Sequence, residues 1–125
     1  MTILSCSKTQ KNSESISPIV GKWYNRKQVM WTTPNGLGTT KDTTFPIGEY
    51  MDFQANGKRY SYFWTGTQYA YDTSNYTLNV NVLSTTSGTT TYTWEVPLLT
   101  NDSLIIHKFL TDSFGSYEYW TFLTK

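Results

Sequence analysis

Residues 50–64 read YMDFQANGKRYSYFW. Asn56-Gly57 sits between two runs of alternating apolar and polar residues, and both residues tolerate the positive φ of a two-residue type I′ turn. Closing the hairpin there pairs Phe53 with Tyr60, Met51 with Tyr62, Asp52 with Ser61 and Gln54 with Arg59. One face is then apolar and aromatic and the other polar, and a slip of one residue would exchange them. The period is two, so the stretch reads as a pair of β-strands.

The same period continues outward in both directions. In QYAYDTSNYTLNVNV (68–82) a turn at Thr73-Ser74 pairs Tyr71 with Tyr76 and Tyr69 with Leu78. Tyr92, Trp94 and Val96 alternate with Thr91, Thr93 and Glu95, and Asn101-Asp102 turns the chain into SLIIHKF (103–109), apolar on both faces. Eight strands are expected, at 20–31, 48–54, 58–64, 68–72, 76–83, 90–97, 103–109 and 117–124. Short hairpins in succession make a meander, and eight such strands can close on themselves. The expected fold is all-β, an eight-stranded up-and-down antiparallel barrel. In the first strand, turning Trp23 inward also turns Asn25 and Lys27 inward, a conflict that a bulge would relieve.

Composition agrees. The 125 residues include 22 threonines, ten tyrosines and five tryptophans, residue types that favour a pleated surface. Lys plus Arg (10) balances Asp plus Glu (9), which leaves no basic field for nucleic acid. One cysteine, Cys6, excludes an internal disulfide and a cysteine-based metal cluster. Residues 1–18 read as a flexible tether and residues 19–125 as one domain.

Gly21-Lys22-Trp23 at the start of the first strand, followed by a meander, resembles the lipocalin superfamily. The closer likeness is to the short lipocalin-like domains of bacterial envelope lipoproteins. It rests also on Tyr50, Phe53, Gly57 and Tyr60, on Gly66-Thr67 before Tyr69, and on Trp120-Thr121-Phe122. The second and third lipocalin motifs are missing: there is no Thr-Asp-Tyr turn, and no Arg after Arg59 to stack on Trp23. Ile3-Leu4-Ser5-Cys6 resembles a bacterial lipobox, which implies lipid attachment at Cys6, a membrane anchor and an outer-membrane site facing periplasm or cell surface. Only five residues precede Cys6, so this reading expects a longer start.

The same alternation bears on candidate sites. It places Trp23, Tyr60, Tyr62, Trp64, Tyr69, Tyr71, Tyr76 and Trp94 in the interior, with Glu49 beside Trp64 near a strand end. Residues 33–47 are where a lid would lie. Asp42, Asp72, Asp102 and Asp112 read as turn residues. His107, the only histidine, alternates out of phase with Leu104 and Ile106, and no nucleophile–base frame accompanies it. No catalytic residue, metal or cofactor is expected. Two functions remain open: a monomeric carrier of a small, partly apolar ligand, or a filled barrel that meets a protein or glycan partner. A connected interior space of about 300 Å³ or more separates them.

Overall fold

The computed structural model describes residues 17–125, and among them the chain forms strands and turns without a helix. Cys6 and the lipobox-like start lie outside the described residues. The strands are β1 (Gly21–Pro34), β2 (Thr40–Thr44), β3 (Tyr50–Phe53), β4 (Lys58–Trp64), β5 (Tyr69–Asn79), β6 (Val82–Ser87), β7 (Thr90–Leu99), β8 (Ser103–Asp112) and β9 (Gly115–Thr124). They neighbour one another in the order β9-β8-β7-β6-β5-β4-β3-β1-β2, and β9 pairs back onto β1. The long β1 carries β9 on one edge; on the other it carries β3 along Gly21–Tyr24 and β2 along Gln28–Thr32. The result is a closed eight-stranded antiparallel barrel with β2 as one extra strand.

Eight barrel strands are thus formed, but they are not all the expected ones. β5 runs unbroken through Thr73-Ser74, because Ser74 finds an interior partner: Arg59 Nε donates to its Oγ at 2.9 Å. The chain turns instead at Val80-Asn81, with Asn79 opposite Val82. β6 lies where no separate strand was expected. The 33–47 segment is largely a hairpin, with the five exposed residues of β2 paired to β1, so it is not a free lid.

The opening hairpin is slipped by one residue from its expected register. Tyr50 faces Tyr62, Met51 faces Ser61, Asp52 faces Tyr60 and Phe53 faces Arg59. The turn spends three residues rather than two: Gln54 N–H donates to the Lys58 carbonyl at 2.8 Å, and Gly57 N–H to the Gln54 carbonyl at 3.2 Å. Only Gly57 needs positive φ (88°), the signature of a turn closed by a glycine bulge. Every side chain of β4 therefore swaps face. Arg59 and Ser61 are buried inside, whereas Tyr60, Tyr62 and Trp64 point outward. Tyr69 and Tyr71, opposite Trp64 and Tyr62, follow them outside, and Tyr71 is 72% exposed.

The conflict in strand one is resolved by a bulge. The β1–β9 register shifts between Phe122/Leu123, with Lys27 opposite Phe122 and Asn25 opposite Leu123. Trp23 and Asn25 stay inside, Lys27 turns out to lie 4.5 Å from the Phe122 ring, and Gln28 opposite Thr121 comes back in. Apolar packing fills the end where the chain enters: Ile19, Trp23, Phe53, Leu83, Val96, Leu104, Ile106 and Leu123 form one buried cluster. We call this the lower end.

Candidate functional site

Trp23 plugs the lower end. Its Nε1 donates to the Ile19 carbonyl at 2.7 Å, which draws the residues before β1 across the barrel bottom. Lys125 Nζ donates to the Pro18 carbonyl at 3.2 Å and lies 4.9 Å from the centre of the Trp23 ring. A lysine thus takes the place over Trp23 where the resemblance implies an arginine. A search for arginine alone passes over it. Tyr76 also packs here, edge-on to Phe53 at 4.9 Å, with its hydroxyl donating to the Gln54 carbonyl; burial raises its pKa.

Above the plug lies a belt of polar side chains. Arg59 donates to Ser74 Oγ and meets Asp72 Oδ2 at 3.2 Å, and burial lowers the guanidinium pKa while Asp72 opposes that shift. Asp72 is therefore an interior strand residue, not a turn residue. Asp42 likewise lies in β2, while Asp112 does cap a turn through the Phe114 and Gly115 N–H groups. Glu49 is a clasp: Oε1 accepts from Asn25 Nδ2 at 3.3 Å and Oε2 from the Trp64 N–H at 3.1 Å. It spans the gap left where the chain departs from β1 between β2 and β3. Tyr69 reinforces the clasp by donating its hydroxyl to the Ile47 carbonyl at 2.6 Å.

The upper half is different. Pairing turns Gln28, Met30, Phe63, Tyr92, Trp94, Lys108, Leu110 and Tyr119 inward, yet Tyr92 is 48% exposed and Leu110 43%. Side chains that point into a barrel and remain that accessible leave its mouth unfilled. A cleft of 260 Å³ beside β2 is lined by Gln28, Met30, Asp42, Thr44, Tyr119 and Thr121 and also by outward-facing Val29 and Trp120. Gln28 also borders a 180 Å³ cleft with Asn25, Glu49, Met51, Ser61 and Phe63 and with outward-facing Tyr50 and Tyr62. A third cleft of 580 Å³ opens beside Gln28, Thr44, Phe45, Ile47, Glu49, Trp64 and Tyr69. Trp64 and Tyr69 thus border a cleft at the clasp, although they do not line the interior.

The expected site residues therefore divide. Trp23, Tyr76 and Trp94 are inside, Glu49 bridges the wall, and Tyr60, Tyr62, Trp64, Tyr69 and Tyr71 are outside. The outward rings build a cross-strand strip: Tyr24 to Tyr50 at 6.1 Å, Tyr50 to Tyr62 at 5.4 Å and Tyr62 to Tyr71 at 4.7 Å. Tyr92, Tyr119 and Lys108 are inner-wall residues that sequence reasoning missed as site residues; the alternation of β7 carried the signal for Tyr92. His107 faces outward but is largely covered, 4.1 Å from the Trp120 ring, with Nδ1 2.8 Å from Glu95 and Nε2 3.9 Å from Glu118. Among the described residues no hydroxyl bonds to it, so it has no nucleophile to activate.

No family model matches the chain, and none of the curated proteins matches its sequence. Solved structures do share its fold. A lipocalin-like protein from Bacteroides uniformis superposes with a TM-score of 0.57 at 16% identity, covering 87% of this chain and 99% of that one. An uncharacterised protein from Bacteroides eggerthii gives 0.55 at 18% identity, covering 85% and 98%. Bovine odorant-binding protein in complex with its natural ligand gives 0.56 at 12% identity, covering 94% and 77%. The chain has the lipocalin-like barrel fold.

Proposed function

We propose that this is a non-enzymatic binding protein of the cell envelope that holds a small, partly apolar molecule in the upper half of its barrel. The carrying observation is the asymmetry of the interior: a buried plug around Trp23 below, with Trp94 packed against it, and the inward but accessible Tyr92 and Leu110 above. Clefts of 260 and 180 Å³ both border Gln28, each smaller than the roughly 300 Å³ of a full ligand pocket, and so suit a ligand of modest size. Odorant-binding protein, which has the same fold, is known in complex with its natural ligand and with undecanal. In this reading Trp94 supplies apolar contact, Tyr76 and Trp23 close the floor, and Glu49 holds the wall beside the mouth.

The test is titration of the full chain with 1-aminoanthracene, an uncharged apolar reporter. Saturable binding with blue-shifted emission is expected, abolished by Met30→Trp, which fills the upper cleft without touching the plug. Absence of saturable binding to the wild type overturns the reading. The envelope assignment rests on Cys6 and is tested separately by metabolic labelling with a palmitate analogue. Label should enter the expressed protein and be lost in Cys6→Ser; an unlabelled wild type refutes the anchor.

A second reading has one observation of its own: the outward strip of Tyr24, Tyr50, Tyr62 and Tyr71, bordered by Lys22 at 4.4 Å from the Tyr50 ring and Arg26 at 5.2 Å from the Tyr24 ring. Aromatic residues and arginine are enriched at protein contact surfaces. An interaction module with an unoccupied interior would use this side of the barrel.

A further inference from the structure

The barrel interior is not electrically uniform. Of the cations in the described residues, Lys22, Lys27 and Lys41 lie over outward rings, Arg26 bonds Thr124, and Lys58 bonds Asn75 on the outer face. Lys125 sits at the floor, and Arg59 is committed to Asp72 and Ser74. One cation remains. Lys108, paired with inward-facing Tyr119, projects into the upper half, with Nζ 4.2 Å from the Tyr92 ring centre and 4.9 Å from that of Trp94. Among the described residues no carboxylate lies within ion-pair distance of it and no hydrogen-bond acceptor meets it.

The interior carboxylates stand elsewhere. Glu49 is held by Asn25 and the Trp64 N–H, and Asp72 by Arg59. Asp42 faces Met30, which faces Tyr119, which faces Lys108, so it stands three strands away, about 14 Å along the wall at ordinary strand spacing. Along the upper wall Asp42 on β2 and Lys108 on β8 thus stand at opposite ends of a row that runs through Met30 and Tyr119.

Resting on the reading of the barrel as a carrier, we propose that its ligand is an amphipathic organic anion, a carboxylate on an apolar chain, whose head meets the Lys108 ammonium while its tail lies against Tyr92, Trp94, Tyr119 and Met30. The aromatic faces position the ammonium, since a cation over a ring is attracted to its quadrupole. They accept no hydrogen bond of ordinary strength, so the three N–H donors stay free for a carboxylate. Burial lowers the Lys108 pKa, as expected for an ammonium short of both water and a counter-charge. A bound carboxylate would supply the missing charge-assisted hydrogen bond.

The experiment compares decanoate with 1-decanol as competitors of 1-aminoanthracene on the full chain at neutral pH, in wild type, Lys108→Met and Lys108→Arg. Methionine keeps an unbranched stem and loses the charge; arginine keeps the charge. The expected result is decanoate at least tenfold tighter than decanol in the wild type, within threefold in Lys108→Met, and a preserved preference in Lys108→Arg. Equal displacement by acid and alcohol in the wild type, or a preference that survives Lys108→Met, overturns the inference while leaving the carrier reading standing. In that case the lysine merely extends to the water of the mouth. Failure of the wild type to bind the reporter or either competitor overturns the carrier reading and the inference with it.

Discussion

Arg59 shows how a single buried charge constrains this barrel. Its guanidinium is almost fully enclosed, while the Asp72 side chain retains 43% of its exposure. The two partners are therefore unequal. Asp72→Asn leaves a buried cation without its counter-charge and should cost about 2–4 kcal/mol. Arg59→Met removes the buried charge, fills similar volume, and leaves a carboxylate that water can reach; it should cost less than about 1.5 kcal/mol. Urea denaturation of both variants checks the order, and equal losses would show that the pair is not effectively desolvated. Lys125 makes a related point: its ammonium lies 4.9 Å from the Trp23 ring, near enough for attraction to the ring's quadrupole.

At the level of elements, the hairpins explain which parts of the fold were legible. The alternation in 50–64 identified two strands and a turn at Asn56-Gly57, and these are present. It could not choose between a two-residue turn and a three-residue turn closed by Gly57, because both use Asn-Gly at the same place. That choice reversed the faces of β4 and of the first part of β5, and with it the location of Tyr60, Tyr62, Trp64, Tyr69 and Tyr71, while Tyr76 and Leu78 stay inside. Separating apolar from polar side chains favours the two-residue turn, but Arg59 finds Ser74 and Asp72 as partners inside, so polarity pointed to the wrong register. Trp94, on a strand whose alternation is clean, was placed inside from sequence, and so was Trp23 despite the conflict in its own strand. The next turn was harder still. Val80 adopts φ 59°, unusual for a β-branched residue, at a turn where sequence favours Asn, Gly or Ser. Val80→Gly relieves that strain at some entropic cost and should stabilise the protein by about 0.5–1 kcal/mol, seen as a higher urea midpoint with unchanged slope. Destabilisation would mean that the Val80 side chain contributes packing beyond its 85% exposure.

On the scale of the whole molecule, barrel closure is unequal along the axis. The lower half is sealed by the Trp23 cluster, while the β1–β9 and β8–β9 ladders run the height of the barrel. On the upper half, β2 hangs on β1 by five registered pairs, exposes all five residues and, among the described residues, has no partner on its other edge. Local opening free energy follows buried contact and ladder protection, so the two halves should open independently. Native-state hydrogen exchange should find the amides of Leu104, Ile106 and Leu123 slowest, near the global unfolding limit, and those of Thr40–Thr44 fastest among the strands. A ligand that fills the upper clefts contacts Met30, Asp42 and Thr44 and binds only the closed arrangement. It should therefore slow β2 selectively, by a factor that grows with ligand concentration in excess of its dissociation constant. Uniform slowing of all strands would instead indicate a ligand that stabilises the barrel only through global unfolding. Protection of β2 equal to that of β9 in the unliganded protein would show that the two halves do not open independently.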